Sequence, residues 1–230
     1  LSMRNPGTKG WATYELTRTS SIVEILNPAA LFGDIMIDYT HTECTSASVQ
    51  ALVDFRNRYP DHRRKLVDQA IEGAVECLRK RQAKDGSWYG FWAVCYCYAG
   101  WFGIAGLAAV GGTYENDENI RRACDFLVKH RLSDGGWGES YLSSERHKYI
   151  STNRSQIVNT SWVILALIAA KYPYRLIIDS GIALIRRRQL PNGDFPQEQI
   201  SGVFNGNCMI SYSNYRNIFP MWAMGKYLSS

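Results

Sequence analysis

The sequence lacks several features that would assign it directly to a common class. No run of apolar residues approaches the ~18 that a membrane-spanning helix needs, because polar residues interrupt every apolar stretch. No signal-peptide pattern is present. Basic and aromatic residues do not alternate and the net charge is only +5, so nothing indicates a nucleic-acid partner. The basic runs Arg63 to Lys65 and Arg186 to Arg188 are expected to be solvated faces of helices.

Cysteine is present, but not in a metal-binding pattern. Cys95 and Cys97, the closest pair of the six, have one residue between them, so on a helix their side chains point in different directions. Neither a second cysteine pair nor a histidine cluster completes a zinc site, so we expect no metal and no cofactor. The thiols are expected to be reduced, as in a protein that faces the cytosol.

Aromatic residues are abundant and unevenly distributed. They make up 13% of the chain, and eight of them fall within the fifteen residues from Trp88 to Phe102. Such a density either packs a bulky helix or lines an apolar cavity. Because the face of an aromatic ring is electron-rich, a cavity of this kind is suited to holding a cation. We expect Trp92 to lie on a helix that follows Trp88 and to face that cavity.

A glycine turn recurs and organises the chain. The stretch Gln82 to Trp88 returns as Arg131 to Trp137 and as Gln189 to Phe195, about 50 and 60 residues apart, which is typical of a structural repeat. Each copy follows an amphipathic stretch, such as Arg63 to Arg81, and the first two precede a more apolar one. Such a helix pair cannot bury its apolar face alone, so the pairs are expected to stack. The sequence therefore predicts an all-α fold, an α/α barrel (toroid) of inner and outer helix pairs around a central pocket.

Several blocks resemble a known family. The pattern from Arg122 to Val128, followed by the glycine turn, resembles the QW repeat of triterpene cyclases. Five longer blocks resemble the oxidosqualene cyclases in particular, and they occur in that family's order: Phe32 to Tyr39, Glu43 to Ser46, Asp134 to Glu139, Gly202 to Asn205 and Ile210 to Pro220. The resemblance covers essentially the whole chain.

The resemblance implies an activity and a substrate. Members of the family are isomerases that convert (S)-2,3-oxidosqualene to a tetracyclic sterol precursor such as lanosterol, by a cationic polyene cyclisation. The reaction protonates an epoxide and then moves positive charge along a folded chain. A lone pair near the cation would quench it, so the walls must be apolar and dry. Aromatic ring faces stabilise the charge without offering a nucleophile.

The resemblance also implies roles for individual residues. Cys44 matches the thiol that hydrogen-bonds the catalytic aspartic acid, which favours a protonated carboxyl group able to open an epoxide. Tyr14 matches a position near the site where the final proton leaves. Four more residues match substrate-facing or cation-stabilising positions of the family: Phe32, Phe204, Tyr212 and Tyr215. Trp92 of the aromatic run and Cys208, which lies between Phe204 and Tyr212, are candidates for the same role.

The sequence does not contain all that the family's reaction needs. Its catalytic acid lies in an Asp-Cys-Thr-Ala-Glu motif, which is absent here, and the chain opens at Leu1 within a worn copy of the repeat turn. We therefore expect residues 1–230 to be the C-terminal portion of a cyclase barrel domain, inactive alone, with its own N-terminal half as partner. The resemblance further implies a monotopic protein of the endoplasmic reticulum membrane or lipid droplets that faces the cytosol.

Other hypotheses remain open on the sequence alone. A stand-alone truncated protein could act as a terpenoid isomerase or pericyclase with a repurposed cavity. A non-catalytic module could bind a sterol or a polyprenyl chain. A relative of the squalene-hopene cyclases is a third possibility, against which the Glu43 to Ser46 block and the stretch from Phe204 to Pro220 both argue, since they resemble the sterol-type enzymes.

Overall fold

The structure is a computed structural model that describes residues 1–17, 20–28 and 36–230. Phe32 lies outside the described residues. The regular elements, in chain order, are a 3-10 helix (Ser21–Leu26), α1 (Thr42–Arg58), α2 (Arg64–Arg81), α3 (Tyr96–Ala109), α4 (Glu118–Lys129), α5 (Leu142–Arg146), α6 (Ile157–Ala169), α7 (Arg175–Arg188), β1 (Gly202–Phe204), β2 (Cys208–Ile210) and α8 (Tyr215–Leu228). Within the described ranges, no helix is both long and apolar enough to cross a lipid bilayer.

The helices form two layers. Helices α1, α3, α6 and α8 pack side by side in that order, and α2, α4 and α7 cover them from the other side. Helices α3 and α6 are buried over most of their length, which matches their apolar composition, whereas the covering helices bury a single stripe. This alternation of inner and outer helices confirms the predicted all-α pairing of an α/α barrel. The two short strands form an antiparallel hairpin that the sequence analysis did not predict.

The recurring turn has the same geometry in all three copies. In the first copy, the backbone N–H of Ala83 donates to the carbonyl oxygen of Ser87, and the N–H of Gly86 donates to the carbonyl oxygen of Ala83. Gly86 has a φ of 93°. The second copy repeats this pattern at Gly135 and the third at Gly193, with φ values of 99° and 86°. Positive φ values of this size favour glycine, which explains why each copy has glycine at this position.

Each turn also supplies one large ring to the core. Trp88 and Trp137 are fully buried, and each donates its indole N–H to a carbonyl in the last turn of the preceding outer helix, at 2.8 Å to Leu78 and 2.6 Å to Leu127. Phe195 is buried at the third position. Gly103 of α3 makes room for the first of these rings, since a Cβ at Gly103 would overlap the indole of Trp88. The turn thus fastens the end of an outer helix to the inner layer.

The first two turns contact the outer helix of the next repeat, whereas the third contacts no such helix among the described residues. Gln82 donates from Nε2 to the carbonyl oxygen of Asn119 at 2.8 Å, and a Cβ at Gly86 would overlap the backbone carbonyl of Arg122. At Gly193, by contrast, no atom of the described residues other than the glycine and its two chain neighbours lies within 4 Å of where a Cβ would be. The three glycines are therefore alike in conformation but differ in surroundings.

This difference gives a prediction for the 230-residue protein. Gly193→Ala is expected to cost about 1–2 kcal/mol in free energy of unfolding, because alanine resists this backbone conformation. Gly86→Ala carries the same strain and in addition forces α4 outward, so we expect a loss of about 3 kcal/mol. Thermal unfolding of the two variants measures the difference, with Gly193→Ala as the matched control. Equal losses would show that contact with α4 is unimportant.

Candidate active site

Three of the predicted site residues lie together around a small apolar cavity. The ring of Trp92 packs edge-on against Phe204, with centroids 5.2 Å apart, and against Tyr14 at 6.2 Å. The cavity has a volume of about 80 Å³ and is lined by Tyr14, Ile37, Asp38, Trp92, Phe204 and Asn205. Three aromatic side chains thus line this space together with one aliphatic and two polar residues.

Trp92 does not lie on a helix, and in this respect the sequence-based expectation was wrong. Helix α3 begins at Tyr96, and Trp92 belongs to the loop between the first glycine turn and that helix. The reason is local: both oxygens of the buried Glu139 accept hydrogen bonds at the N-terminus of α3, from the backbone N–H of Tyr96 at 3.0 Å and of Cys97 at 2.9 Å. A helix that started earlier would place these amides inside it, where they would bond to helix carbonyls instead.

The hairpin and the Trp92 loop hold each other in place. The N–H of Val94 donates to the carbonyl of Ser201 at 2.9 Å, and the N–H of Gly206 donates to the carbonyl of Phe91 at 2.7 Å. Phe204 lies on β1, directly opposite Cys208 on β2. The predicted residue Cys208 is therefore next to the cavity ring Phe204, although it does not line the cavity itself.

Tyr212 and Tyr215 form a second cluster. Their rings are stacked with centroids 4.9 Å apart, and Tyr215 also contacts Phe219 of α8 at 5.1 Å and Trp162 of α6 at 5.9 Å. Tyr212 is 39% exposed and does not line the small cavity. Its ring lies against the backbone of the hairpin, since a Cβ at Gly202 would overlap it. The hairpin therefore lies between the two clusters.

Tyr98 lies beside the second cluster, and the sequence analysis did not select it. Its ring packs against Trp162 at 5.0 Å. Burial raises the pKa of its phenol well above the usual range, and the charges of Glu43, Tyr215, Cys44 and Tyr212 act in the same direction. Trp162 also contacts Tyr215, so the phenol lies beside the second cluster, and it stays protonated. Its sequence signal, one ring among eight in an aromatic run, did not distinguish it from a packing residue.

Cys44 lies near the loop that carries Tyr14. Its sulfur is 3.7 Å from the hydroxyl of Thr13, and burial raises the pKa of its thiol to about 11. The group is therefore a neutral S–H, a weak hydrogen-bond donor, at physiological pH. Tyr14 itself is 70% exposed, but its backbone is held firmly. Asp38 accepts hydrogen bonds from the backbone N–H of Thr13 at 3.0 Å, of Glu15 at 2.9 Å and of Tyr14.

Two further ionisable residues are buried behind the cavity. His41 packs against Phe91 with ring centroids 4.5 Å apart, and its Nε2 is 3.7 Å from Asp38. Burial lowers the pKa of this imidazole to about 4, so it is neutral at physiological pH. Glu43 accepts hydrogen bonds at Oε1 from the backbone N–H of Phe91 and of Trp92, and burial raises the pKa of its carboxyl group. Sequence reasoning did not select Asp38, His41 and Glu43. Asp38 and Glu43 bond to backbone N–H groups that lie 23 to 49 residues away in the chain. His41 is three residues from Asp38, but its ring packs against the distant Phe91.

Three other features of the described chain were candidates for a site: its cysteines, groups of metal-binding side chains, and a larger groove. All six cysteines lie within the described ranges and are free thiols. Among the described residues, no group of three or more His, Cys, Asp or Glu side chains could hold a metal ion. A larger groove of about 390 Å³ lies on the outer layer and is lined mainly by charged side chains, including Lys84, Arg122 and Lys129. It contains none of the predicted site residues, so the aromatic clusters remain the candidate site.

Comparison with known proteins places this geometry in context. Residues 1–229 match the family model described as squalene-hopene cyclase C-terminal domain. The chain is 47% identical to a human lanosterol synthase over 230 residues, covering 99% of this chain and 31% of that protein. It is 48% identical over 228 residues to a cycloartenol synthase of Dictyostelium discoideum, with 99% and 32% covered. The chain thus spans about a third of the length of these curated relatives.

Solved structures show a similar fold. A type II terpene cyclase from Scytonema, in complex with its product merosterolic acid A, superposes with a TM-score of 0.67 at 18% identity, covering 99% of this chain and 64% of that one. The ent-copalyl diphosphate synthase of Streptomyces platensis gives 0.66 at 14% identity, covering 95% and 35%. At these identities the likeness concerns the fold alone.

Proposed function

Since the chain belongs to the oxidosqualene cyclase family and matches the squalene-hopene cyclase C-terminal domain over residues 1–229, we propose that it forms the C-terminal part of an oxidosqualene cyclase. The whole enzyme is an isomerase that converts (S)-2,3-oxidosqualene to a tetracyclic sterol precursor such as lanosterol. In this proposal residues 1–230 all contribute to one barrel domain. The observation that carries the proposal is the cavity between Tyr14, Trp92 and Phe204, whose walls suit a carbocation.

The physical chemistry of such a reaction explains the choice of side chains. A cation beside an aromatic ring in a dry site gains about 2 kcal/mol per ring, and each ~1.4 kcal/mol changes a rate tenfold. Trp92 and Phe204 are in contact with each other and could share this stabilisation. The acidic group nearest the cavity, Asp38, is occupied by backbone N–H donors, which reduces its ability to capture a cation. Tyr212 and Tyr215 supply further rings on the other side of the hairpin.

The acid that opens the epoxide must come from outside this chain. Cys44 is the residue we propose to act on it. With a thiol pKa of about 11, Cys44 remains an S–H donor at neutral pH. A hydrogen bond from this thiol to a carboxyl group would stabilise one orientation of the acid. In this role Cys44 is a supporting residue, and the proton comes from the carboxyl group that its thiol bonds.

The partner we propose is the remaining part of the same parent chain. The third glycine turn supports this, because its surface at Gly193 is uncovered where the first two turns contact an outer helix. Helix α8 next to it exposes the apolar side chains of Ile218, Met221 and Trp222. An additional helix of the same repeat type would cover both. In the complete reading frame, Gly193→Ala should then cost as much stability as Gly86→Ala, unlike in the 230-residue protein, and a persistent difference would contradict this arrangement.

We also propose that the parent enzyme is monotopic on the endoplasmic reticulum membrane or lipid droplets and faces the cytosol, as family members do. Cell fractionation of the complete protein, with protease treatment of intact microsomes, tests this. Recovery in the cytosolic fraction would contradict it.

One experiment tests the proposed activity. The complete open reading frame is expressed in a cyclase-deficient yeast, and the triterpenes are identified by mass spectrometry and NMR. We expect a tetracyclic sterol precursor and growth without added sterol. The 230-residue chain alone, detected as folded protein in the same strain, should give no cyclised product, because it lacks the catalytic acid. Saturable sterol binding by the complete protein without any turnover would instead favour a binding module.

A further inference from the structure

Glu43 has an unusual position for an acidic residue. It lies in the first turn of α1, is only 4% exposed, and directs its side chain at a loop from a different repeat. Its Oε1 accepts hydrogen bonds from two consecutive backbone N–H groups, of Phe91 at 2.6 Å and of Trp92 at 3.2 Å. The loop is held from its other side by the N–H of Gly206, which donates to the carbonyl of Phe91. Glu43 thus fixes the backbone directly beneath the Trp92 side chain.

The Trp92 side chain, unlike its backbone, makes no hydrogen bond among the described residues. Its indole N–H is buried and has no hydrogen-bond partner among the described residues. The ring is therefore positioned by its backbone and by edge-on packing against Tyr14, Phe204 and His41, the last with centroids 6.0 Å apart. Because the stabilisation of a cation by a ring requires a centroid distance of about 6 Å or less, a small displacement of this backbone would weaken it.

A carboxyl group is a costly way to make these bonds. Its Oε2 is also buried and has no partner among the described residues, and burial opposes ionisation of the group. A glutamine at position 43 could present the same single acceptor oxygen to both N–H groups without a charge. This provides a variant that keeps the acceptor and replaces the acid, with an amide NH2 in place of Oε2.

We propose that Glu43 is a positioning residue for Trp92, and that through the Phe91–Trp92 backbone it determines where positive charge is held and therefore which products form. The proposal rests on the proposed cyclase function. Glu43 itself does not touch the substrate. The chain also contains a matched structural contact: Glu198 accepts a hydrogen bond from the backbone N–H of Ile157 at 2.6 Å and is paired with Arg188, away from the cavity.

The test compares Glu43→Ala, Glu43→Asp, Glu43→Gln and Glu198→Ala in the complete reading frame, with product composition, kcat and KM as readouts. For Glu43→Ala and Glu43→Asp, which remove or withdraw the acceptor, we expect partly cyclised products to rise from traces to more than about a tenth of the total, and kcat to fall about tenfold with little change in KM. Glu43→Gln should retain the product composition of the wild-type enzyme. Glu198→Ala should lower the melting temperature without altering the products.

The outcomes separate this proposal from the proposed function. If the wild-type enzyme makes no tetracyclic product, the function is wrong. If the wild type is active and both Glu43→Ala and Glu43→Asp retain its product composition, the positioning role is wrong, as it is if Glu198→Ala shifts the products equally. Should Glu43→Ala fail to fold, the shorter acid in Glu43→Asp decides by the same readout.

Discussion

Trp92→Leu in the complete enzyme is expected to release partly cyclised products at the expense of the tetracycle. Leucine keeps the cavity apolar but removes the ring face, so a cation at that point loses about 2 kcal/mol of stabilisation, which corresponds to about 30-fold in the rate of the following step. Water capture or proton loss then competes at an earlier stage. The measurement is the product distribution from the purified enzyme, together with kcat.

Two companion variants sharpen this result. Trp92→Phe retains an aromatic face and should preserve most of the tetracyclic product. Phe204→Leu removes the ring that packs against Trp92 at 5.2 Å, so its effect should resemble that of Trp92→Leu. An unchanged product distribution and rate in Trp92→Leu, in a protein that is folded by its melting temperature, would remove Trp92 from the candidate site.

The layered fold could be predicted from the sequence because its signals are local. The stripe of apolar residues predicts an outer helix over 63–81, and the observed α2 is Arg64–Arg81. The glycine turns were equally visible, since positive φ values require glycine at Gly86, Gly135 and Gly193. Periodicity and turn chemistry act over a few residues, so they need no knowledge of the packing.

The candidate site could be predicted only in part. Trp92 was selected from the aromatic run and Phe204 through the family resemblance, yet their contact depends on the hairpin, which the sequence analysis missed. A signal for that hairpin was present: Asn205 and Gly206 both have positive φ, 48° and 77°, and Asn-Gly is a strong hairpin sequence. The strands are only three residues long and offered no recognisable alternation. Glu43 stood in a block that resembles the family, but nothing in the sequence indicated its bond to the Trp92 loop, because that partner is nearly fifty residues away.

The stability of the layers depends on the rings of the glycine turns, and the largest loss is expected for Trp137→Ala. This ring is fully buried, and its N–H satisfies the carbonyl of Leu127, which lies in the last turn of α4. Removing a core tryptophan costs about 3–5 kcal/mol. The carbonyl of Leu127 then keeps only its hydrogen bond from the backbone N–H of His130, at 3.1 Å. For a chain of this size we expect the melting temperature to fall by about 10–15 °C.

The chain itself supplies the control for that experiment. Phe195 occupies the equivalent position in the third turn and is equally buried, which shows that the architecture accepts a ring without an N–H. Trp137→Phe should therefore cost only about 1–2 kcal/mol, from the unmade hydrogen bond and the smaller ring. If Trp137→Phe proves as damaging as Trp137→Ala, the hydrogen bond to Leu127 rather than the ring volume joins the two layers. That result would also predict a weaker junction at Phe195, where the uncovered third turn adjoins α8.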